Sequence, residues 1–309
     1  MDLSVPLMNS LTLGSLYTLM ALGLTMSFSV TKIANFAHAE LVTIGGYVTA
    51  LLVNWMGYGL GESLIAAFFA SALLAVAMDE GVFKPMIKRG SRPLFLLVAS
   101  IGIGLLVRYI LFIYADLNAV ITVQAKANVQ LIGRFGRAGI TTIHLWVFPI
   151  TIASVVLLHL MFHYTKPGKA LRAMADNEDL ARVSGVKIYT LRRLMWFIAG
   201  GITGIAGGLW SAYSVITPEI GWYALLRIFA ASILGGLVSF WGTIAGGLIV
   251  GFAENFGITF MNTYFHVSTA YRPLISFVIL VIVLLLKPTG FAGIDVIGWI
   301  KEKMSKGGE

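Results

Sequence analysis

The chain has 309 residues, of which 58% are hydrophobic and only 12% charged, with a mean hydropathy of +0.88 and a formal charge of +8. A soluble domain carries about twice that charged fraction, and the apolar runs are too many for one water-soluble core. The absence of cysteine excludes disulfides and thiolate metal sites.

The apolar runs are continuous, without the alternation of a β-barrel, and predict an all-α polytopic transmembrane helical bundle of eight or nine spans. A span needs about 20 largely apolar residues to cross about 30 Å. In chain order this places spans near Leu7–Val30, Leu41–Gly57, Ser63–Phe83, Pro93–Ala115, His144–Tyr164, Leu194–Tyr213, Tyr223–Phe240, Trp241–Phe260 and Pro273–Leu286. The start, MDLSVPLMNSL, has no basic n-region, so the first run reads as a retained span. No linker separates independent domains, and residues 1–309 read as one transmembrane domain.

Between the first two spans lies a polar cluster, Asn35-Phe36-Ala37-His38-Ala39-Glu40, with Lys32 just before it. A charge at mid-membrane depth costs about 2.5 to 3.5 kcal/mol unless it faces protein or water. Two readings stand: an ordinary turn between spans, or a polar break that, with Gly45 and Gly46 beyond it, shapes a cavity or holds a helix kink; a re-entrant break in place of a full loop would change the parity of everything before it. Alternation of the spans puts Thr31–Glu40, Lys84–Arg92, Thr165–Arg193 and the segment from Lys287 onward on one side. Those segments hold 16 of the 22 Lys and Arg, against four on the other side. The bias predicts an outer N-terminus and a cytoplasmic C-terminus. Residues 116–143 form the one sizeable outer loop, with pieces suited to a small hairpin or a surface helix.

The most polar stretch is Thr165–Arg193, TKPGKALRAMADNEDLARVSGVKIYTLRR. Lys169 to Ser184 lacks proline and glycine, is rich in Ala and Leu, and is followed by Gly185 where a helix C-cap belongs. A rod of about 24 Å is expected there, the alternative being a solvated loop. Further along, Gly200, Gly204 and Gly208, then Gly242 with Gly246 and Gly247 with Gly251, give small-residue faces for close helix packing. Arg227 and Glu254 fall in adjacent spans and are a candidate intramembrane ion pair, with substrate contact as the other reading. Ile44-Gly45-Gly46-Tyr47-Val48 and Leu234-Gly235-Gly236-Leu237-Val238 echo one another, a hint of an inverted internal repeat. No catalytic or metal-binding constellation is present. His159 and His163, beside aromatic residues at a span end, read as an interfacial anchor. No G-x-x-x-x-G-K-[ST] occurs, so the chain has no P-loop of its own.

NFAHAE after a first span ending ALGLTMSFSV resembles the NFAHGE signature of the membrane permeases of branched-chain amino acid ABC importers, the LivH-type permeases. The run Arg172-Ala173-Met174-Ala175-Asp176-Asn177 with Ala181-Arg182 and Gly185-Val186 resembles that family's cytoplasmic loop, and Ile233-Leu234-Gly235-Gly236 leading to Gly242 and Gly246-Gly247 a third of its segments. Against the importer loop pattern E-A-A-x-x-x-G, Asp179-Leu180-Ala181-Arg182-Val183-Ser184-Gly185 keeps the acid, the second Ala and the Gly, with Leu180 in place of the first Ala. Ala39 stands where the family has Gly.

The resemblance implies a permease of the prokaryotic cytoplasmic (inner) membrane, not itself an enzyme. Its partners would be a second, identical or related permease, two cytosolic ABC ATPase subunits and an external substrate-binding protein, with no nucleic acid. It implies no cofactor on this chain, ATP and Mg being held by the ATPases. It further implies translocation-path or gating roles for Asn35, His38, Glu40, Gly45 and Gly46. Coupling to the ATPase would fall to Arg172, Asp176, Asp179, Ala181, Arg182 and Gly185. The competing reading is a stand-alone channel or secondary transporter for a small neutral solute such as urea or an amide.

Overall fold

The computed structural model describes residues 3–127, 129–287 and 290, which form a helical bundle with one small β-hairpin. In order, α1 is Ser4–Thr31, α2 His38–Met56 and α3 Leu60–Met78. A π-turn, Asp79–Phe83, runs on into α4, Lys84–Lys88. Next come α5 (Pro93–Leu117) and the antiparallel pair β1 (Leu131–Phe135) and β2 (Ala138–Thr141). They are followed by α6 (Thr142–Tyr164), α7 (Lys166–Asp176), α8 (Glu178–Val183), α9 (Ile188–Tyr213), α10 (Ile220–Gly235), α11 (Phe240–Phe265) and α12 (Arg272–Leu286). Among the described residues eight helical segments are long and apolar enough to cross a membrane, and α10 is a shorter ninth. The basic KEKMSKGGE end lies outside the described residues.

Local chemistry sets the helix boundaries. Pro93 occupies the first turn of α5, where its missing N–H is harmless. The Ser239 hydroxyl accepts the Gly242 N–H and caps α11. His144 Nδ1 lies 3.0 Å from the Thr141 N–H, a reciprocal cap at the start of α6. The loop 116–143 contains the hairpin, one of its two expected forms.

Contacts between elements give each helix its direction. Ser4 of α1 accepts the Arg137 and Ala138 N–H groups of the hairpin, and Asn54 near the end of α2 donates to the Gln124 carbonyl. Tyr213 at the end of α9 bonds Asn9 of α1. These mark one end of the bundle, the hairpin face. The other end carries Lys84, Lys88, Arg89, Arg92 and the α7–α8 segment, and is the basic face. α1 and α9 run side by side through the interior, and α5, α6 and α12 lie at the periphery.

The α1–α2 junction is not a surface turn. His38, the first residue of α2, has Nε2 3.1 Å from the carbonyl oxygen of Met20, eleven residues above the end of α1. At 1.5 Å per residue, residues 32–37 climb back about 16 Å inside the protein before α2 begins. Of the two readings of Thr31–Glu40, the structure takes the re-entrant one, and the direction of α2 is unaffected. A second extended stretch, residues 214–219, follows α9 and leads into α10, whose Gly221 N–H bonds the Thr43 hydroxyl of α2.

Helix packing reveals the repeat. Helices α1, α2, α3 and α5 run down, up, down, up; α9, α10, α11 and α12 run the same course in the opposite sense. Exchanging the two sets maps most of the packing onto itself: α1–α11 answers α3–α9, α2–α9 answers α1–α10, α2–α3 answers α10–α11, and α2–α5 answers α10–α12, whereas α11 packs on α12 with no comparable α3–α5 packing. The echoing pentapeptides lie on the corresponding helices α2 and α10. One is mid-helix, however, while the other ends α10 with Gly236 at φ +97°, so they do not mark the register of the repeat.

The glycine faces pack within the chain. Gly200, Gly204 and Gly208 turn toward α2 and α3, Gly242 and Gly246 toward α10, and Gly247 and Gly251 toward α1.

The expected rod is corrected. Lys169 to Ser184 does not form one helix, because Asn177 adopts an extended conformation (φ −153°, ψ 106°) and divides α7 from α8. Its side chain accepts the Leu180 N–H at 2.9 Å and starts α8 afresh. Gly185 at φ +84° does close α8, with the Val186 N–H returning to the Ala181 carbonyl. Arg192 is also corrected: counted with the basic loop, it is buried in the first turns of α9.

Candidate functional site

The re-entrant segment brings Asn35, His38 and Glu40 together inside the bundle, all buried. Asn35 Oδ1 accepts the Ala37 N–H at 3.0 Å, a turn that launches α2. The Phe36 N–H donates to the Ser100 hydroxyl of α5 at 3.1 Å. His38 Nε2 sits between the Met20 carbonyl and the Thr203 hydroxyl, at 3.1 and 3.0 Å. A carbonyl only accepts, which assigns the ring proton to Nε2. Arg108 of α5 donates to Glu40 Oε1 from Nε and Nη2, at 3.1 and 2.5 Å. The Arg108 guanidinium also lies 4.7 Å from the centroid of the Trp222 ring on α10.

Beside this polar core runs a groove of about 600 Å³, lined among others by Ala34 and Phe36 of the re-entrant segment, Leu97 of α5, Trp222 and Phe229 of α10, and Leu280 of α12. The segment therefore divides its residues. Asn35, His38 and Glu40 turn inward and fix its course, while Ala34 and Phe36 face the groove. Gly45 lies against the backbone of Gly204, where a Cβ would overlap main-chain atoms, and Gly46 lies against Gly207 and Ile216. Both glycines seat α2 on α9.

Arg227 and Glu254 pair as the sequence suggested. Arg227 Nε donates to both carboxylate oxygens, at 2.9 and 3.1 Å. The Tyr17 hydroxyl adds a bond at 2.8 Å and Ser276 another, tying α1, α10, α11 and α12 at one carboxylate. Two buried pairs were not anticipated: Glu40–Arg108, and Asp79 of the π-turn with Arg192 of α9. Each was detectable in principle, since a charge inside an apolar run requires a partner of opposite sign. His159 and His163 stack at 4.2 Å, and His159 lies 5.2 Å from Trp241, an aromatic cluster near the basic face.

On that face, α7 and α8 are anchored by the buried Leu171, Met174 and Ala181, while Arg172, Asp176, Asp179, Arg182 and Gly185 are exposed. Ala181 thus faces the bundle. Leu180 and Val183, 65% and 87% exposed, place two apolar side chains in water beside Asp179. Sequence reading weighted the charges here and missed this apolar pair, although Leu180 occupies the first Ala position of the loop pattern.

Residues 7–284 match the family described as branched-chain amino acid transport system / permease component. The chain is 30% identical to the high-affinity branched-chain amino acid transport system permease protein LivH of Escherichia coli (strain K12), over 92% of this chain and 94% of that protein. It is 32% identical to the probable branched-chain amino acid transport permease protein LivH of Methanocaldococcus jannaschii, over 94% and 91%. The ribose import permease protein RbsC of Escherichia coli (strain K12) is 26% identical, over 90% and 84%. With its apolar spans and this match over nearly its whole length, the chain is a multi-pass membrane protein that belongs to the family of branched-chain amino acid transport system permease components.

Proposed function

We propose that the protein is the permease subunit of an ATP-driven importer for branched-chain or other hydrophobic amino acids, with its basic face in the cytosol of a prokaryotic inner membrane. The relatives named as branched-chain amino acid permeases support the substrate class, and the excess of Lys and Arg at one end supports the orientation. The carrying observation is the α7–α8 segment: pinned to the bundle by Leu171 and Met174, it presents exposed Leu180, Val183 and Asp179 to a partner. Cytosolic ATPase subunits are the proposed partner, and Asp176, Arg172 and Arg182 frame the same surface. ATP and Mg belong to those subunits.

The apolar groove flanked by the re-entrant segment, α5, α10 and α12 suits an aliphatic side chain. We assign it to the translocation path, closed by a second permease, with an external binding protein meeting the hairpin face. Asn35, His38 and Glu40 act on the path by holding the segment that carries Ala34 and Phe36. Reconstitution tests the reading: vesicles containing this chain, its ATPases, permease partner and binding protein should accumulate leucine, isoleucine or valine only with ATP. Uptake by the purified chain alone would favour a channel or secondary transporter instead.

A further inference from the structure

A cleft of about 460 Å³ opens on the basic face behind the α7–α8 segment, in the angle between the end of α1, the α4–α5 turn and the start of α9. Its polar lining comes from Thr31 at the end of α1, Lys88 at the end of α4, Ser91 of the turn, Glu178 and Arg182 of α8, and Tyr189 and Arg192 of α9. These groups are committed to different degrees. Arg192 is held by Asp79. Arg182 holds Glu178 at 2.7 Å and Asp179 at 3.8 Å, but both pairs are half exposed or more and of the kind that contributes little. Lys88 Nζ lies 4.9 Å from the Tyr189 ring centroid, a contact that leaves its three donors available. Leu96 of α5 lines the cleft from the buried side of that helix, whereas Leu94, Phe95 and Val98 are exposed and do not line it.

We propose that this cleft binds the phosphate of an anionic phospholipid headgroup, with Lys88, the Ser91 hydroxyl and Arg182 as its ligands. A basic pocket between spans at the membrane surface has the chemistry of such a site. Arg182 exchanges Glu178 for the phosphate, so the headgroup bridges α4 to α8. The lipid thereby steadies the α7–α8 segment against the bundle. The inference does not depend on what the protein transports.

The test uses the full-length chain in vesicles of phosphatidylcholine, alone or mixed with phosphatidylglycerol, and compares K88Q with R89Q. Both variants remove one exposed charge, but Arg89 does not line the cleft. Hydrogen exchange in residues 178–186 should slow when phosphatidylglycerol is present. The preference for that lipid should fall about fivefold in K88Q and stay unchanged in R89Q. Equal losses in the two variants, or no preference at all, overturn the proposal. Protection produced by inorganic phosphate in pure phosphatidylcholine vesicles overturns the lipid as occupant.

Discussion

Glu40 and Arg108 meet inside the bundle with both side chains almost fully enclosed, joining the first turn of α2 to the middle of α5. The Coulombic gain of such a pair is offset by desolvation of both ions, so its net stabilisation is small, but removing one partner strands the other. Arg108→Met should destabilise the fold by about 3–5 kcal/mol, and adding Glu40→Gln should restore most of that. Chemical unfolding of the four members of the cycle measures it. A double variant as unstable as the single one would show that the pair does not act as a unit.

Asp79 and Glu80 are neighbours with different expected sensitivities. Asp79 is buried against Arg192, whereas Glu80 makes partly exposed contacts with Lys84 and Arg193. Asp79→Asn leaves a buried guanidinium without a counter-charge and should cost about 3 kcal/mol or more; Glu80→Gln should stay within about 1 kcal/mol. Thermal unfolding in detergent, with both variants side by side, checks the contrast.

Gly45→Val tests the seating of α2 on α9. The added side chain meets the Gly204 backbone, which cannot swing aside as a side chain can. Overpacking there should cost about 1–3 kcal/mol. Gly102→Val, at an open position of α5, should be nearly neutral. Folded yield and unfolding midpoint are the readouts.

Leu180→Asp and Val183→Asp should leave stability within about 0.5 kcal/mol, since both side chains already face water. If they anchor an ATPase, binding should weaken by about tenfold or more, in the range of an interface hot spot. Co-purification of the ATPase subunits with wild-type and variant permease provides the measure; undiminished recovery would remove these residues from the interface.

The sequence exposed those features that follow from polarity along the chain. The spans, the basic end and the Arg227–Glu254 pair could be anticipated because long apolar runs and isolated charges within them have few physical solutions. Depth was hidden: nothing in the order of residues 31–40 states that the chain climbs back before α2 starts. The groove was hidden too, because Ala34, Phe36, Leu97 and Phe229 are apolar residues among many others. Asn177 misled, since the surrounding Ala and Leu favour a helix while its side chain caps a new one.

The two oppositely running sets of helices carry a further implication. Turning the molecule upside down exchanges the sets yet preserves most of which helix leans on which. A rocking motion that parts the bundle toward one compartment therefore has a geometric counterpart, about the corresponding helices, that parts it toward the other.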